Sequence, residues 1–140
     1  MFSTLHCIVL LSLHIFAAKK QTANTTKAMT NVDNTKSQMR KGMLEYCILL
    51  LLRHSPSYAN DIIGKLKQAK MIVVEGTLYP LLNRLKKDGL LKYEWQESSS
   101  GPPRKYYALT PEGEEALSLL DQSWNEIANT VGKLHANLIQ

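Results

Sequence analysis

Four side chains between positions 75 and 89 have the chemistry to hold a nucleic acid: Thr77, Tyr79, Asn83 and Arg84. Hydroxyl groups contact phosphates or base edges, an asparagine amide can bond an adenine edge twice, and a guanidinium can do the same to guanine. Lys86 and Lys87 follow with two ammonium groups suited to backbone phosphates, and a second basic pair, Arg104 and Lys105, stands beside a proline-containing loop. Tyr58, at the start of a neighbouring helix, can bond a phosphate, a contact that positions without specifying. Each of these also has a plainer reading. A solvated helix surface would carry the same residues, with Tyr79 partly packed and Arg84 in a surface ion pair, and basic residues on a strand discourage edge pairing. Chemistry of other kinds finds no foothold: GxSxG, the P-loop, GxGxxG and HExxH do not occur, and each is the minimal framework of its reaction. Cys7 and Cys47, with His6, His14, His54 and His135, form no metal-ligand spacing. Glu112, Glu114 and Glu115 are explained by the preference of helix starts for negative charge. No catalytic residue, metal or cofactor is expected.

These side chains need elements to aim them. Residues 40–54 are apolar on most faces, through Met43, Leu44, Cys47 and the run 48–52, and length and leucine content favour a buried helix over a strand. Ser55-Pro56-Ser57 breaks it, and Ser57 can cap a second helix from Tyr58 to about Gln68, with Ile62, Ile63 and Leu66 inward. After a short connection, Leu78, Leu81, Leu82 and Leu85 recur at the spacing of one apolar helix face. Pro80 is tolerated if this third helix starts near Gly76, because first-turn amides have no intrahelical partner. Gly89 closes it as a left-handed cap. Residues 90–95 and 104–109 then read as two strands of a hairpin whose tip is the long polar loop 97–103. Thr110-Pro111-Glu112 opens a last helix, with Thr110 as N-cap and Pro111 first in the helix. Along it Leu117, Leu120, Trp124, Ile127, Val131, Leu134 and Leu138 alternate three and four apart. That is an a/d seam for pairing with another helix.

Composition bounds the rest. The chain has 140 residues, is 44% hydrophobic and carries a net charge of +5, enough for one domain with extra elements. The excess charge is unevenly shared. Residues 1–38 hold four lysines and one aspartate, whereas residues 39–140 hold 13 basic and 11 acidic side chains. Any nucleic-acid reading therefore rests on where the charges sit. A disulfide is not expected, because Cys47 lies in an apolar helical run, and the chain suits a reducing cytoplasm. The apolar stretch 5–18 is shorter than the ~20 residues of a membrane span, and no Lys or Arg precedes it as in a signal peptide. Residues 21–38 read as a disordered polar linker. Residues 1–38 are thus a non-globular extension. The favoured reading is translated sequence upstream of a start at Met39, with a targeting segment or a peripheral membrane anchor as alternatives. No stable membrane insertion is expected.

Three helices, a hairpin and a long helix, mainly α with a small β-hairpin, are the layout of a winged helix-turn-helix over 39–110. A dimerisation helix over 111–140 completes it. In that architecture the third helix enters the major groove and the wing follows the backbone or minor groove. At this point the sequence resembles the PadR family of bacterial transcriptional regulators. The carriers are Glu75-Gly76-Thr77-Leu78-Tyr79-Pro80-Leu81-Leu82-x-Arg84-Leu85, Gly89-Leu90-Leu91, and Gly101-Pro102-Pro103-Arg104-Lys105-Tyr106-Tyr107-x-Leu109-Thr110-x-x-Gly113. The single C-terminal helix with Trp124 looks like the compact subgroup. The resemblance implies a homodimeric repressor of double-stranded DNA whose last helix crosses to the partner subunit. As in some compact family members, it also implies a cleft at Trp124 for a planar hydrophobic effector that relieves repression, while plain dimer packing is the favoured reading of Trp124. Two departures stand out: Ser57-Tyr58 replaces the usual Gly-Tyr, and residues 1–38 have no family counterpart. A dimer implies a roughly palindromic operator with half-sites about one helical turn, or a multiple, apart. The alternative is a winged helix used only for protein interaction, against which Arg84, Lys86, Lys87, Arg104 and Lys105 argue.

Overall fold

The computed structural model describes the backbone of residues 2–139 and the side chains of residue 22 and residues 25–137. In chain order the elements are α1 (Phe2–His54), β1 (Ser57–Tyr58), α2 (Ala59–Gln68), α3 (Glu75–Lys87), β2 (Leu91–Ser98), β3 (Gly101–Leu109) and α4 (Pro111–Ile139). Contacts divide the chain into two units, 1–42 and 43–140.

The first unit is helical throughout its described length. This corrects the expectation of a disordered linker over 21–38. Composition argued for disorder, but no glycine or proline interrupts residues 2–41. The threonines also turn their hydroxyls inward: Thr26 donates to the Thr22 carbonyl (2.9 Å), Thr30 to Thr26 (2.9 Å) and Thr35 to Asn31 (3.0 Å). Such back-bonding satisfies the hydroxyl within the helix. Lys36 adds an ion pair with Asp33 at 3.3 Å. The side chains of the apolar stretch 5–18, on which the targeting and anchoring readings rest, lie outside the described residues. Among the described residues no helix is long and apolar enough to cross a membrane.

In the second unit the leucine-rich end of α1 supplies Leu44, Ile48, Leu49 and Leu52 to a core shared with Ala59, Ile62 and Leu66 of α2 and Leu78, Leu82 and Leu85 of α3. Leu91, Tyr107 and Leu117 close it from the sheet and α4. Cys47 packs against this core as a small apolar side chain, and burial pushes its thiol pKa up. Helix α3 ends as its sequence demands. The Gly89 amide donates to the Lys86 carbonyl (3.1 Å) and the Leu90 amide to the Leu85 carbonyl (2.9 Å), with Gly89 at φ 78°. Those two bonds form a Schellman cap, and the left-handed φ is why glycine stands there.

Three local expectations need correction. Ser57 does not cap α2. It lies in β1, which pairs antiparallel with β3 through Ser57–Tyr107 and Tyr58–Tyr106, so the sheet has three strands in the order β1-β3-β2. Its buried hydroxyl donates to the Ser55 carbonyl (3.3 Å) and accepts from Lys65 (3.0 Å), while Tyr58 takes the N-cap position. The hairpin tip is also short. Strands β2 and β3 extend to Ser98 and Gly101, with a bulge between Gln96 and Ser98. Pro102 and Pro103 fit because β1 does not reach that part of β3 and because both fall in the register shift against β2, between the Gln96–Arg104 and Ser98–Gly101 pairs, where no ladder donor is required. Pro80 is the sixth residue of α3, past the first turn. There its missing amide removes a bond to Gly76.

Helix α4 is locked at its start. The Thr110 amide donates to the Leu90 carbonyl (3.1 Å), its hydroxyl to the Gly89 carbonyl (2.6 Å), and the Gly113 amide to the Thr110 hydroxyl (3.0 Å). Further along the helix, Asp121 ties α4 to α1: it accepts from the Tyr46 hydroxyl at 2.6 Å and pairs with Arg53 at 3.1 Å. Apart from the added strand, the fold is the expected one, mainly helical with a β-wing.

Candidate nucleic-acid interface

Helix α3 sorts its polar residues into two stripes. Tyr79, Asn83 and Lys86 are four and three residues apart and share a side. Tyr79 lines a groove with the wing, and the Lys86 ammonium lies 4.7 Å from the centre of the Tyr93 ring on β2. Thr77 and Arg84, seven apart, share the other side. There Arg84 forms an ion pair and hydrogen bond with Glu45 of α1. Asn83, Lys87 and Thr77 are exposed. The structure therefore separates residues that the sequence analysis grouped, and gives Arg84 a protein partner.

The wing presents cations on both faces of its sheet. Tyr93 faces Tyr107 and Trp95 faces Lys105 across the β2–β3 ladder. Strand alternation puts these four on one face. The Lys105 ammonium sits 4.5 Å from the Tyr93 ring centre and 5.1 Å from that of Trp95. The two rings meet edge to face at 6.4 Å. On the opposite face Arg104 lies 4.6 Å over the ring of Tyr58, which in turn leans on Tyr106 at 5.5 Å. Attraction between a cation and the negative face of an aromatic ring holds such side chains without neutralising them. They keep their charge for an anion.

These parts meet in one groove of about 330 Å³, lined by Tyr58, Ala59 and Asn60 at the start of α2, Tyr79 of α3, and Trp95, Pro103, Arg104, Lys105 and Tyr107 of the wing. No carboxylate is among them. Asn60 and Trp95 were not singled out from the sequence. The signal for Trp95 was its place two residues after Tyr93 in a strand, which repeats the face, and 61% of it is exposed. The base of the groove is Tyr107, whose hydroxyl pKa is pushed up chiefly by burial.

Away from this face, the α4 seam divides. Leu117 is buried in the chain's own core and Leu120 packs against it. Leu117 is therefore withdrawn from the dimerisation residues, since a fully covered side chain has nothing left for a partner. Trp124, Ile127, Val131 and Leu134 are 43–58% exposed. The side chain of Leu138 lies outside the described residues. Among the described residues no His, Cys, Asp or Glu cluster could hold a metal ion.

Comparison with known proteins agrees with this architecture. A sequence model of the transcriptional regulator PadR-like family matches residues 48–119. A solved PadR-like transcription factor from Bacteroides fragilis is 66% identical, with 72% of this chain and 98% of that one covered and a TM-score of 0.62. A PadR family transcriptional regulator from Eggerthella lenta is 36% identical, with 74% and 90% covered and a TM-score of 0.67. Transcriptional regulator Rv3488 of Mycobacterium tuberculosis is 44% identical over 59 residues, 42% of this chain and 54% of that protein.

Proposed function

The chain belongs to the PadR-like family of transcriptional regulators, which are not enzymes, and from that premise we propose that it represses transcription in the cytoplasm by binding a roughly palindromic DNA operator as a homodimer. The observation that carries the DNA contact is the carboxylate-free groove in which α2, α3 and the wing converge. Helix α3 enters the major groove with Tyr79, Asn83 and Lys86 toward the wing, and Lys87 beside them. Tyr58, Arg104 and Lys105 take phosphates, with the wing along the backbone or in the minor groove. Thr77 reaches a phosphate from the start of α3, and Arg84 contributes only when Glu45 releases it.

The partner subunit covers Trp124, Ile127, Val131 and Leu134. An isolated helix has no reason to hold four large apolar side chains in water at seam spacing. A planar hydrophobic effector stacks on Trp124 and its twofold mate and relieves repression. Anisotropy of the full chain on a labelled duplex from its own upstream region, beside a scrambled duplex and at several salt concentrations, tests the reading. Tight binding to the native duplex alone, weakening steeply with salt, is expected. Absence of binding to either duplex at low salt would make the fold a protein-interaction module instead.

A further inference from the structure

Tyr93 is half-buried, packs against the hydrophobic core and carries two lysine ammonium groups from different elements on its ring. Lys86 comes from the last turn of α3 and Lys105 from β3. Two like charges gathered at one ring repel each other, and long lysine side chains left to themselves would spread into solvent. The ring's negative face offsets that repulsion and fixes both heads relative to the core. Its own orientation is set by Tyr107 at 6.0 Å and by an edge-to-face contact with Trp95 at 6.4 Å. The result is a pair of cations joining the major-groove helix to the wing, with neither lysine in a salt bridge among the described residues.

We propose that Tyr93 is a positioning residue for DNA binding, which gathers Lys86 and Lys105 into one phosphate clamp and so makes α3 and the wing engage the duplex in fixed register. The proposal rests on the DNA reading above. Tyr93 itself touches no nucleic acid. It acts through the two ammonium groups, each of which releases a condensed counterion when it meets a phosphate.

The test measures binding of the full chain to the native upstream duplex from about 50 to about 200 mM salt. Tyr93→Phe keeps the ring and binds as wild type. Tyr93→Leu weakens binding about tenfold, because two freed lysine side chains must then be ordered at the duplex. It also makes Lys86→Ala and Lys105→Ala less costly than they are in the wild-type background. A purely structural role for Tyr93 would lower the folded fraction and leave the two lysine effects unchanged, and that result overturns the proposal. If Tyr93→Leu does not fold, phenylalanines of increasing fluorine content at position 93 preserve the packing while draining the ring face. Affinity then falls stepwise with fluorination, and a flat series overturns the clamp. Failure of the wild-type chain to bind any duplex removes the DNA reading itself, and is distinguishable from either result.

Discussion

Arg84 and Lys105 carry the same charge in different company. Arg84, 57% exposed, spends its guanidinium on Glu45, 39 residues away in sequence, whereas Lys105 rests on two aromatic rings that leave its charge uncompensated. The pair with Glu45 is open to solvent, so breaking it costs about 0–1 kcal/mol of stability. Lys105→Ala is therefore expected to weaken binding across all duplex sequences and lower the salt slope by about one, the mark of one lost phosphate contact. Arg84→Ala is expected to change neither appreciably. Fluorescence anisotropy on native and scrambled duplexes at several salt concentrations checks both. An Arg84→Ala protein that loses discrimination between the duplexes would return Arg84 to base reading and show that Glu45 lets go on binding.

Between elements, a tight approach occurs at Gly113, where the first turn of α4 lies against Leu90, just after α3's cap. A Cβ there would stand 2.1 Å from the Leu90 carbonyl oxygen and 3.2 Å from Leu109. That oxygen already accepts the Thr110 amide, so it is pinned. Gly113→Ala should cost about 1–3 kcal/mol by overpacking, read as a lowered urea midpoint, although alanine is ordinarily the better helix former. The α1–α4 contact is sensitive to acid. The Tyr46 hydroxyl, and after it Arg53, hold the Asp121 carboxyl below its ordinary 3.8 against the opposing effect of burial. A depressed carboxylate contributes stability that is complete above the ordinary value and is lost as pH falls through the lowered one. Wild type should thus exceed Asp121→Asn in stability at pH 7, and the gap should close below about pH 4. A gap that persists at pH 2 in thermal melts would assign the contact to packing. At the alkaline end the same bond raises the Tyr46 pKa from its ordinary 10.0, so its contribution is complete below that ordinary value and is lost as pH rises through the raised one. Elements governed by local rules were legible in the sequence: the leucine face of α3, the Gly89 cap, and Thr110-Pro111 at the start of α4. What escaped depends on distant partners. Strand β1 exists because Tyr106 and Tyr107 pair with it, and nothing in Ser57-Tyr58 announces that. The candidate site was legible as residue types, but the groove that joins Asn60 and Trp95 to the basic pair appears only when helix and wing are brought together.

At the scale of the whole molecule, the groove between α3 and the wing and the seam on α4 are separate surfaces, and in the proposed homodimer their coupling is a matter of concentration. Under that proposal one winged helix reads a single half-site. A second, held by the partner subunit, binds at an effective concentration set by the dimer, which raises affinity by roughly 10²–10⁴ without any new contact. The seam available for this is Trp124, Ile127, Val131 and Leu134, since Leu117 belongs to the core. Ile127→Glu places a charge in that stripe, 56% exposed in the single chain, and so spares the fold while opposing burial against a partner. Sedimentation should show the wild-type chain as a dimer and Ile127→Glu as a monomer with an unchanged circular dichroism spectrum. Operator affinity should fall by at least about a hundredfold, while binding to an isolated half-site stays as it was. A monomeric variant that keeps full affinity for the palindrome would mean that one subunit suffices, and the seam would then have to serve another partner. A variant that remains dimeric would move the interface elsewhere on the chain and remove the basis for the effector cleft proposed at Trp124.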